Sequence, residues 1–381
     1  MLVRALVLAL FVAGGVCAQR DKIVVNTETP EGQLLQQIGQ ESDDAKKLGL
    51  LEQFAGKYPK HESAGWVYAQ MQTLYMKASQ FDKAMEAGDK LFAIDPSDVE
   101  TALQNLKASE GKKDPDLVKK WSATTAEAAG KVVASQKPKE EDAVDEWTRK
   151  VDYAKQVKTY TDYSLYAMAL QLPDPQKKIE FIEELTRRSP ESEYVPKLTQ
   201  VYFTALRQAG QNERAVAVAE KILETDQNNE DMLLVVADSY FQKKQQPEKV
   251  FSYTGKMIEV VGSKPKPEGV SDADWTKKKN LVTGLGHWMQ GKLYFGQNKF
   301  VDADKSLQAA LPFIESNADL KADALFHLGV ANFKLGSTTN NSDRILAALK
   351  FSQACAAMKS PYQGAAQRNV NAIKSQYRVT R

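Results

Sequence analysis

The sequence predicts an all-α fold built from repeated helical hairpins, and three observations support that prediction. Strand patterns are nearly absent after residue 30, whereas apolar residues at helical spacing are almost continuous. Glycine or proline recurs at intervals of roughly 35 to 40 residues, which is a period typical of helical repeat arrays. The 381 residues are 43% hydrophobic and 26% charged, an ordinary composition for a folded chain.

Charge and cysteine content narrow the classes of function. Basic and acidic residues nearly balance, with 51 Lys plus Arg and 49 Asp plus Glu. A dedicated nucleic-acid-binding protein normally has a strong basic excess instead. Two cysteines cannot build a disulfide scaffold, and three histidines offer little for a metal cluster. We therefore expect no nucleic-acid partner, no metal and no cofactor.

The N-terminal residues have the order of a secretory signal peptide. Arg4 precedes an apolar run over residues 5–16, and a small-residue step ends at Ala18. This run is too short for a membrane span, which needs about 20 apolar residues. We expect cleavage between Ala18 and Gln19, which removes residues 1–18 and leaves a periplasmic or secreted protein.

A lipid anchor on Cys17 is the alternative interpretation of this N-terminus. Val16 is bulkier than the small residue that usually precedes a lipidated cysteine, so the sequence favours simple cleavage. No other stretch is long and apolar enough to cross a membrane. After cleavage Cys355 is the one cysteine left, which excludes an intramolecular disulfide.

The repeats share internal spacings. An apolar residue precedes a proline by five positions at Phe54 and Pro59, at Leu91 and Pro96, and at Leu185 and Pro190. Proline ends one helix, and the Ser, Asp or Glu behind it favours the start of the next. A second spacing joins Tyr75, Phe81 and Ala84, and it recurs at Tyr294, Phe300 and Ala303.

This pattern resembles the tetratricopeptide repeat, a 34-residue helix-turn-helix unit, and residues 65–98 are its clearest copy. With the signal peptide, the chain resembles exported bacterial members of that family. The resemblance implies a right-handed superhelical solenoid of about eight stacked hairpins plus a C-terminal capping helix. The predicted hairpins cover residues 31–58, 63–95, 97–135, 140–190, 193–226, 230–262, 275–316 and 320–360.

The predicted domain organisation follows from these hairpins. An extended segment at 19–30 precedes a helical array at 31–262, and a Pro/Gly-rich linker at 263–274 leads to a second array at 275–381. In the last hairpin, the polar sequence at 335–344 predicts a long turn between the two helices.

No catalytic motif is supported. The segment 286–293 nearly matches a phosphate-binding loop, but Leu293 lacks the hydroxyl that holds magnesium and no strand precedes it. His61, His287 and His327 are interpreted as isolated side chains without metal-ligand partners. Cys355 lies between alanines and is interpreted as a small buried side chain. The sequence therefore predicts that the protein is not an enzyme.

The resemblance implies a binding groove lined by the first helix of each hairpin. Its candidate residues are Trp66, Met76, Tyr160, Tyr163, Lys197, Gln200, Arg207, Phe241, Trp288, Lys292, Phe295, Phe326 and Phe333. Aromatic and arginine side chains are frequent anchors of interfaces. The sharpest prediction is a cluster of Trp288, Phe295, Phe326 and Phe333 on adjacent first helices. The alternative is that these residues pack between consecutive repeats.

The groove implies a non-enzymatic scaffold that binds a peptide or protein partner in the cell envelope. The alternative function is binding of an envelope glycan, another polymer or a small solute, because aromatic rings stack on sugar faces. Members that bind acidic C-terminal tails use paired Lys and Asn, which Ala69 and Thr73 replace here. Recognition of such a tail is therefore not expected.

The signal peptide gives the first testable prediction. Mass spectrometry of the protein from its native cells should find Gln19 as the N-terminal residue, without lipid, because cleavage follows the small side chain of Ala18. An N-terminus at Cys17 carrying acyl chains would establish the lipid-anchored alternative, and an intact Met1 would refute export.

Overall fold

The computed structural model describes residue 23 and residues 25–377. The predicted signal peptide and its cleavage site at Ala18 and Gln19 lie outside the described residues. Eighteen α-helices and no strand occur within the described residues. Consecutive helices pack against one another as hairpins, which confirms the predicted all-α class of repeated helical hairpins. The chain forms two compact units, one ending at Ala209 and the other beginning at Gly210.

The first unit contains ten helices. They are α1 (Pro30–Gln40), α2 (Asp44–Lys57), α3 (Ala64–Lys77), α4 (Phe81–Ile94), α5 (Val99–Lys112), α6 (Pro115–Val133), α7 (Glu141–Gln171), α8 (Pro175–Arg188), α9 (Tyr194–Lys197) and α10 (Thr199–Gln208). The second unit contains α11 (Asn212–Thr225), α12 (Glu230–Gln242), α13 (Pro247–Ser263), α14 (Asp272–Gly296), α15 (Phe300–Ile314), α16 (Ala318–Thr339), α17 (Ser342–Ala356) and α18 (Gln363–Tyr377).

Local sequence explains where several helices begin. Asp114 and Asp174 precede a proline at the first helical position, and each carboxylate accepts hydrogen bonds from two backbone N–H groups of the first turn. Proline needs no N–H partner there, and the aspartate satisfies N–H groups that the helix leaves unpaired. The Asp-Pro step therefore fixes the starts of α6 and α8.

The longest helix of the first unit is α7, with 31 residues. Its middle turns bury Ala154 and Val157 against Leu103 of α5 and Ala128 of α6, and Val151 is also buried. These spacings of three and four residues put the apolar side chains on one face of the helix. The single apolar stripe explains why a helix of this length is stable beside the shorter helices around it.

Close helix contacts in the second unit depend on glycine. A Cβ on Gly291 of α14 would lie 2.5 Å from Cγ of Leu307 on α15, and Leu307 is fully buried. A Cβ on Gly286 would similarly meet the side chains of Met257 and Ile258 on α13 at 2.8 and 2.9 Å. Glycine is therefore required where α14 meets its two neighbours.

Residues 264–271 join α13 to α14, and both helices belong to the second unit. The carboxylate of Glu230 on α12 is buried and accepts hydrogen bonds from Lys264 at 2.6 Å and from Lys278 at 2.8 Å. Burial raises the pKa of Glu230, but these two bonds outweigh it and lower the pKa to about 2. The buried carboxylate thus anchors both ends of the Pro/Gly-rich segment to α12.

The predicted long turn at 335–344 is wrong. Helix α16 continues to Thr339, and Asn340, with φ of 52°, ends it in the left-handed conformation. The hydroxyls of Thr338 and Thr339 donate to carbonyls one turn earlier at 2.8 and 2.7 Å, so these polar side chains are satisfied within the helix rather than in a loop. Gly336 also lets Ile345 of α17 approach closely, which holds this last turn in place.

Two glycines of α14 give a prediction on stability. Gly291→Ala should destabilise the second unit by about 1 to 3 kcal/mol, because the new methyl group overpacks against Leu307. Gly296→Ala is the matched control, since no atom lies within 4 Å of its Cβ position, and it should stabilise the helix by up to about 1 kcal/mol. Denaturant unfolding followed by circular dichroism measures both. Equal effects of the two substitutions would contradict the packing role.

Candidate functional site

Polar and aromatic side chains of the second unit meet around the carboxylate of Asp323 on α16. They come from α12, α14, α16 and the turn before α18. We call this group the Asp323 cluster, and its members are Phe241, Trp288, Lys292, Phe295, Asp323, Phe326, His327 and Tyr362.

The Asp323 carboxylate is the centre of the cluster. It accepts hydrogen bonds from Nε1 of Trp288 at 2.9 Å, Nζ of Lys292 at 2.9 Å and the hydroxyl of Tyr362 at 2.5 Å. Only 9% of the Asp323 side chain is exposed. Burial raises the pKa of this carboxyl, but interactions with His327, Lys292 and Tyr362 outweigh it and lower the pKa below its usual value. Asp323 is therefore a buried anion that fixes three other side chains.

His327 is held in one tautomer. Its Nδ1 lies 2.8 Å from the backbone carbonyl of Asp323, which can only accept, so Nδ1 carries the proton. Nε2 then accepts a hydrogen bond from Lys292 at 3.0 Å. Burial and the adjacent Lys292 lower the pKa of His327, which favours the neutral ring. Both ring nitrogens are thus occupied by bonds within the protein.

The aromatic rings of the cluster contact one another and the polar centre. Phe326 stacks on Tyr362 with centroids 5.0 Å apart, and Phe295 meets the His327 ring edge-on at 4.7 Å. Phe241 reaches Trp288 at 5.2 Å. All of these rings except His327 are half-buried, so each keeps part of its surface in solvent. The cluster therefore combines fixed aromatic surface with a partly exposed lysine.

Sequence-predicted residues also meet in the first unit. Tyr160 and Tyr163 lie 6.1 Å apart on α7, and Tyr163 reaches Tyr194 of α9 at 5.8 Å. The Lys197 ammonium lies 4.8 Å above the Tyr194 ring and pairs with Glu193 at 2.7 Å. Tyr163 is 40% exposed. We call this group the tyrosine cluster, and it also contains Tyr166, stacked on Tyr194 at 5.0 Å.

The other sequence-predicted residues lie elsewhere. Trp66 and Met76 are half-buried against the core of the first unit, while Gln200 and Arg207 are exposed on α10. Phe333 packs against Tyr377 of α18, with centroids 6.2 Å apart, rather than with the Asp323 cluster. The structure thus brings together Trp288, Phe295 and Phe326 of the sharpest prediction but gives Phe333 a separate contact.

Sequence reasoning missed Asp323 and Tyr362. Asp323 is four residues before His327, so the two share a helix face, and this spacing was a readable signal that His327 is not isolated. Tyr362 had no such signal, because it lies in a turn and its bond to Asp323 spans 39 residues. Only the packing of α16 against α18 brings Tyr362 to the cluster.

Other chemical candidates have structural roles. The segment 286–293 lies inside α14 and therefore forms no phosphate-binding loop. Cys355 is fully buried, and burial raises the pKa of its thiol. In the described part of the chain, no group of three or more His, Cys, Asp or Glu side chains is arranged to hold a metal ion. None of the described helices has an apolar stretch that could span a bilayer.

No protein-family model matches the sequence, and no curated protein matches it either. The solved structures that are similar to this chain include two at 12% identity. The match with the P58(IPK) TPR domain covers 92% of this chain and 100% of that domain, with a TM-score of 0.25. The match with a human IFIT1 dimer with PPP-AAAA covers 91% of this chain and 81% of that chain, with a TM-score of 0.30. With similarity this low, the fold assignment rests on the chain's own hairpins.

The neutral His327 ring gives a prediction on pH dependence. Its folded-state pKa lies below the usual 6.5, so its stabilising contribution is complete above pH 6.5 and is lost as the pH falls through the folded-state pKa. His327→Gln keeps an acceptor for Lys292 but cannot be protonated. The unfolding temperature of this variant should therefore fall less between about pH 7 and pH 5 than that of the unchanged protein. Parallel pH profiles would refute the assignment of a buried neutral ring.

Proposed function

We propose that this protein is a non-enzymatic helical-repeat scaffold that binds a peptide segment of a partner protein on the Asp323 cluster. The observation that carries the proposal is the Asp323 carboxylate itself, which fixes Trp288 and Lys292 of α14 and Tyr362 of the turn before α18 at once. Side chains that are already fixed lose little entropy on binding, and aromatic anchors supply most of the energy of many interfaces. The cluster is therefore preorganised for recognition.

The bonding within the cluster supports binding rather than catalysis. A general base needs a free lone pair near its substrate, but both nitrogens of His327 and both oxygens of Asp323 are engaged within the protein. The partly exposed groups are the half-buried aromatic rings and Lys292. These groups suit contact with apolar and polar parts of a peptide.

A second candidate function is binding of an envelope glycan, another polymer or a small solute. The observation that favours it is the tyrosine cluster, where Tyr163 is 40% exposed beside Tyr166 and Tyr194. Exposed tyrosine rings provide flat faces on which sugars stack. This candidate uses the first unit, whereas the peptide proposal uses the second, so substitutions can separate them.

The proposed place of action is the cell envelope. It is supported by the apolar run at 5–16 and the small-residue step at Ala18, which together favour export and removal of residues 1–18. The partner then belongs among periplasmic, secreted or membrane-exposed proteins.

Affinity capture tests the proposed function. The immobilised protein is exposed to detergent-solubilised envelope extract from its native cells, and any enriched protein is purified for titration. Trp288→Ala combined with Phe326→Ala should weaken its binding by at least about tenfold, because two anchor rings are lost. Tyr163→Ala should leave this affinity unchanged.

The controls separate the two candidate functions. Circular dichroism and thermal unfolding must show that the doubly substituted protein is folded, and Lys292→Met supplies an independent change in the same cluster. If neither variant alters partner affinity, the Asp323 cluster is not the binding site. Binding that survives protease treatment of the extract and is lost in Tyr163→Ala would support the glycan function instead.

A further inference from the structure

An open groove of about 880 Å³ lies in the second unit, apart from the Asp323 cluster. It runs between the first turns of α14 and the turn that joins α15 to α16. The side chains that matter for its chemistry are Lys277, Leu281, Leu285, Phe313, Glu315 and Leu320. The groove shares no residue with the Asp323 cluster, so ligand binding here is independent of the proposed peptide binding.

Large apolar side chains line the groove and remain exposed. Leu281 is 52% exposed and Phe313 is 36% exposed, and both face the same groove. Gly284 explains why they lie together, because a Cβ there would come within 2.9 Å of Phe313 and Ile314. The absence of a side chain lets the end of α15 approach α14 closely. Covering these exposed side chains with an apolar ligand is therefore favourable.

The charges at the groove do not balance. In the basic run 277–279, Lys278 does not line the groove and pairs with Glu230 and Asp231, both at 2.8 Å. Lys277 lines the groove, and no carboxylate of the described residues lies within ion-pair distance of it. Glu315, the acidic residue of the lining, is already paired with Lys321. Of the charged side chains that line the groove, Lys277 is therefore the one without an ion-pair partner among the described residues.

The starts of α16 and α14 both lie near the groove. Ala318, the first residue of α16, also lines the groove, and the carboxylate of Asp319 in the same turn offsets the partial positive charge of this helix end. Asp274, the acidic residue one turn before Lys277, does not line the groove and accepts a hydrogen bond from Ser271 at 2.7 Å. A ligand in the groove thus meets an apolar wall and the ammonium group of Lys277.

We infer that this groove binds a single-chain anionic amphiphile, an aliphatic chain that ends in one carboxylate. The chain contacts Leu281, Leu285 and Phe313, and the carboxylate pairs with Lys277. A single uncompensated lysine selects one negative charge. The groove volume falls within the range of small-ligand sites, which favours a small molecule over a partner helix.

Isothermal titration of the purified protein with dodecanoate, kept below its micelle concentration, tests the inference. We expect saturable binding of one dodecanoate per chain. Leu281→Asp should weaken binding by more than about tenfold, because it places a charge against the aliphatic chain. Lys277→Gln should weaken binding about two- to fivefold, which is the effect of losing one exposed ion pair.

Matched variants control for non-specific uptake. Val301→Asp changes an apolar residue of α15 that is 59% exposed outside the groove, and Lys279→Gln changes another lysine of the same basic run. Both should bind dodecanoate as the unchanged protein does. Thermal unfolding checks each variant, and Lys277→Gln keeps the test decisive if Leu281→Asp fails to fold.

Several results would overturn the inference. They are absence of saturable dodecanoate binding, unchanged binding in Lys277→Gln, or an equal loss in Leu281→Asp and Val301→Asp. Dodecanol, which has the same chain without a charge, should bind more weakly than dodecanoate. Equal affinity for the two probes would show that Lys277 does not select the carboxylate.

Discussion

Close contact between neighbouring helices is the constraint on which both units depend. Most of the helices are short, with 14 residues in α3, α4 and α5, and helices of this length are marginal in isolation. Their stability comes from packing on neighbours, and that packing requires small residues at the crossing points, such as fully buried Ala84 and Ala303. Where even alanine is too large, as at Gly291 against Leu307, the chain uses glycine.

Tight packing also determines which polar groups can be buried. Asp304 of α15 is only 4% exposed, and it accepts hydrogen bonds from Asn332 at 2.6 Å, Arg344 at 2.5 Å and Gln308 at 2.8 Å. Asp323 is satisfied in the same way, by two donors of α14 and one from the turn before α18. A buried carboxylate is tolerated only when its oxygens are paired, so each of these aspartates fixes the positions of its partners.

The sequence predicts which residues lie on which helix, because these positions follow from local periodicity. It does not predict contacts that depend on packing between helices distant in the chain. Trp288, Phe295 and Phe326 could be assigned to first helices, because each position follows from helical spacing. Tyr362 could not be placed, since it reaches Asp323 only through the contact of α18 with α16. Phe333 lies two turns after Phe326, and its contact with α18 likewise depends on the packing of α18 against α16.

The two proposed binding surfaces differ in the role of their lysines. In the Asp323 cluster, Lys292 is paired with an internal carboxylate, so the lysine serves mainly to hold neighbouring groups in place. At the groove, Lys277 and Lys278 are adjacent in sequence but lie on different faces of α14. Lys278 pairs with the carboxylate of Glu230, while Lys277 lies beside an apolar wall. The net charge of +2 does not reveal which lysines have a carboxylate partner. A lysine without a partner beside exposed Leu281 and Phe313 is satisfied only by water or a ligand, and an anionic ligand with an apolar chain satisfies both the charge and the exposed surface.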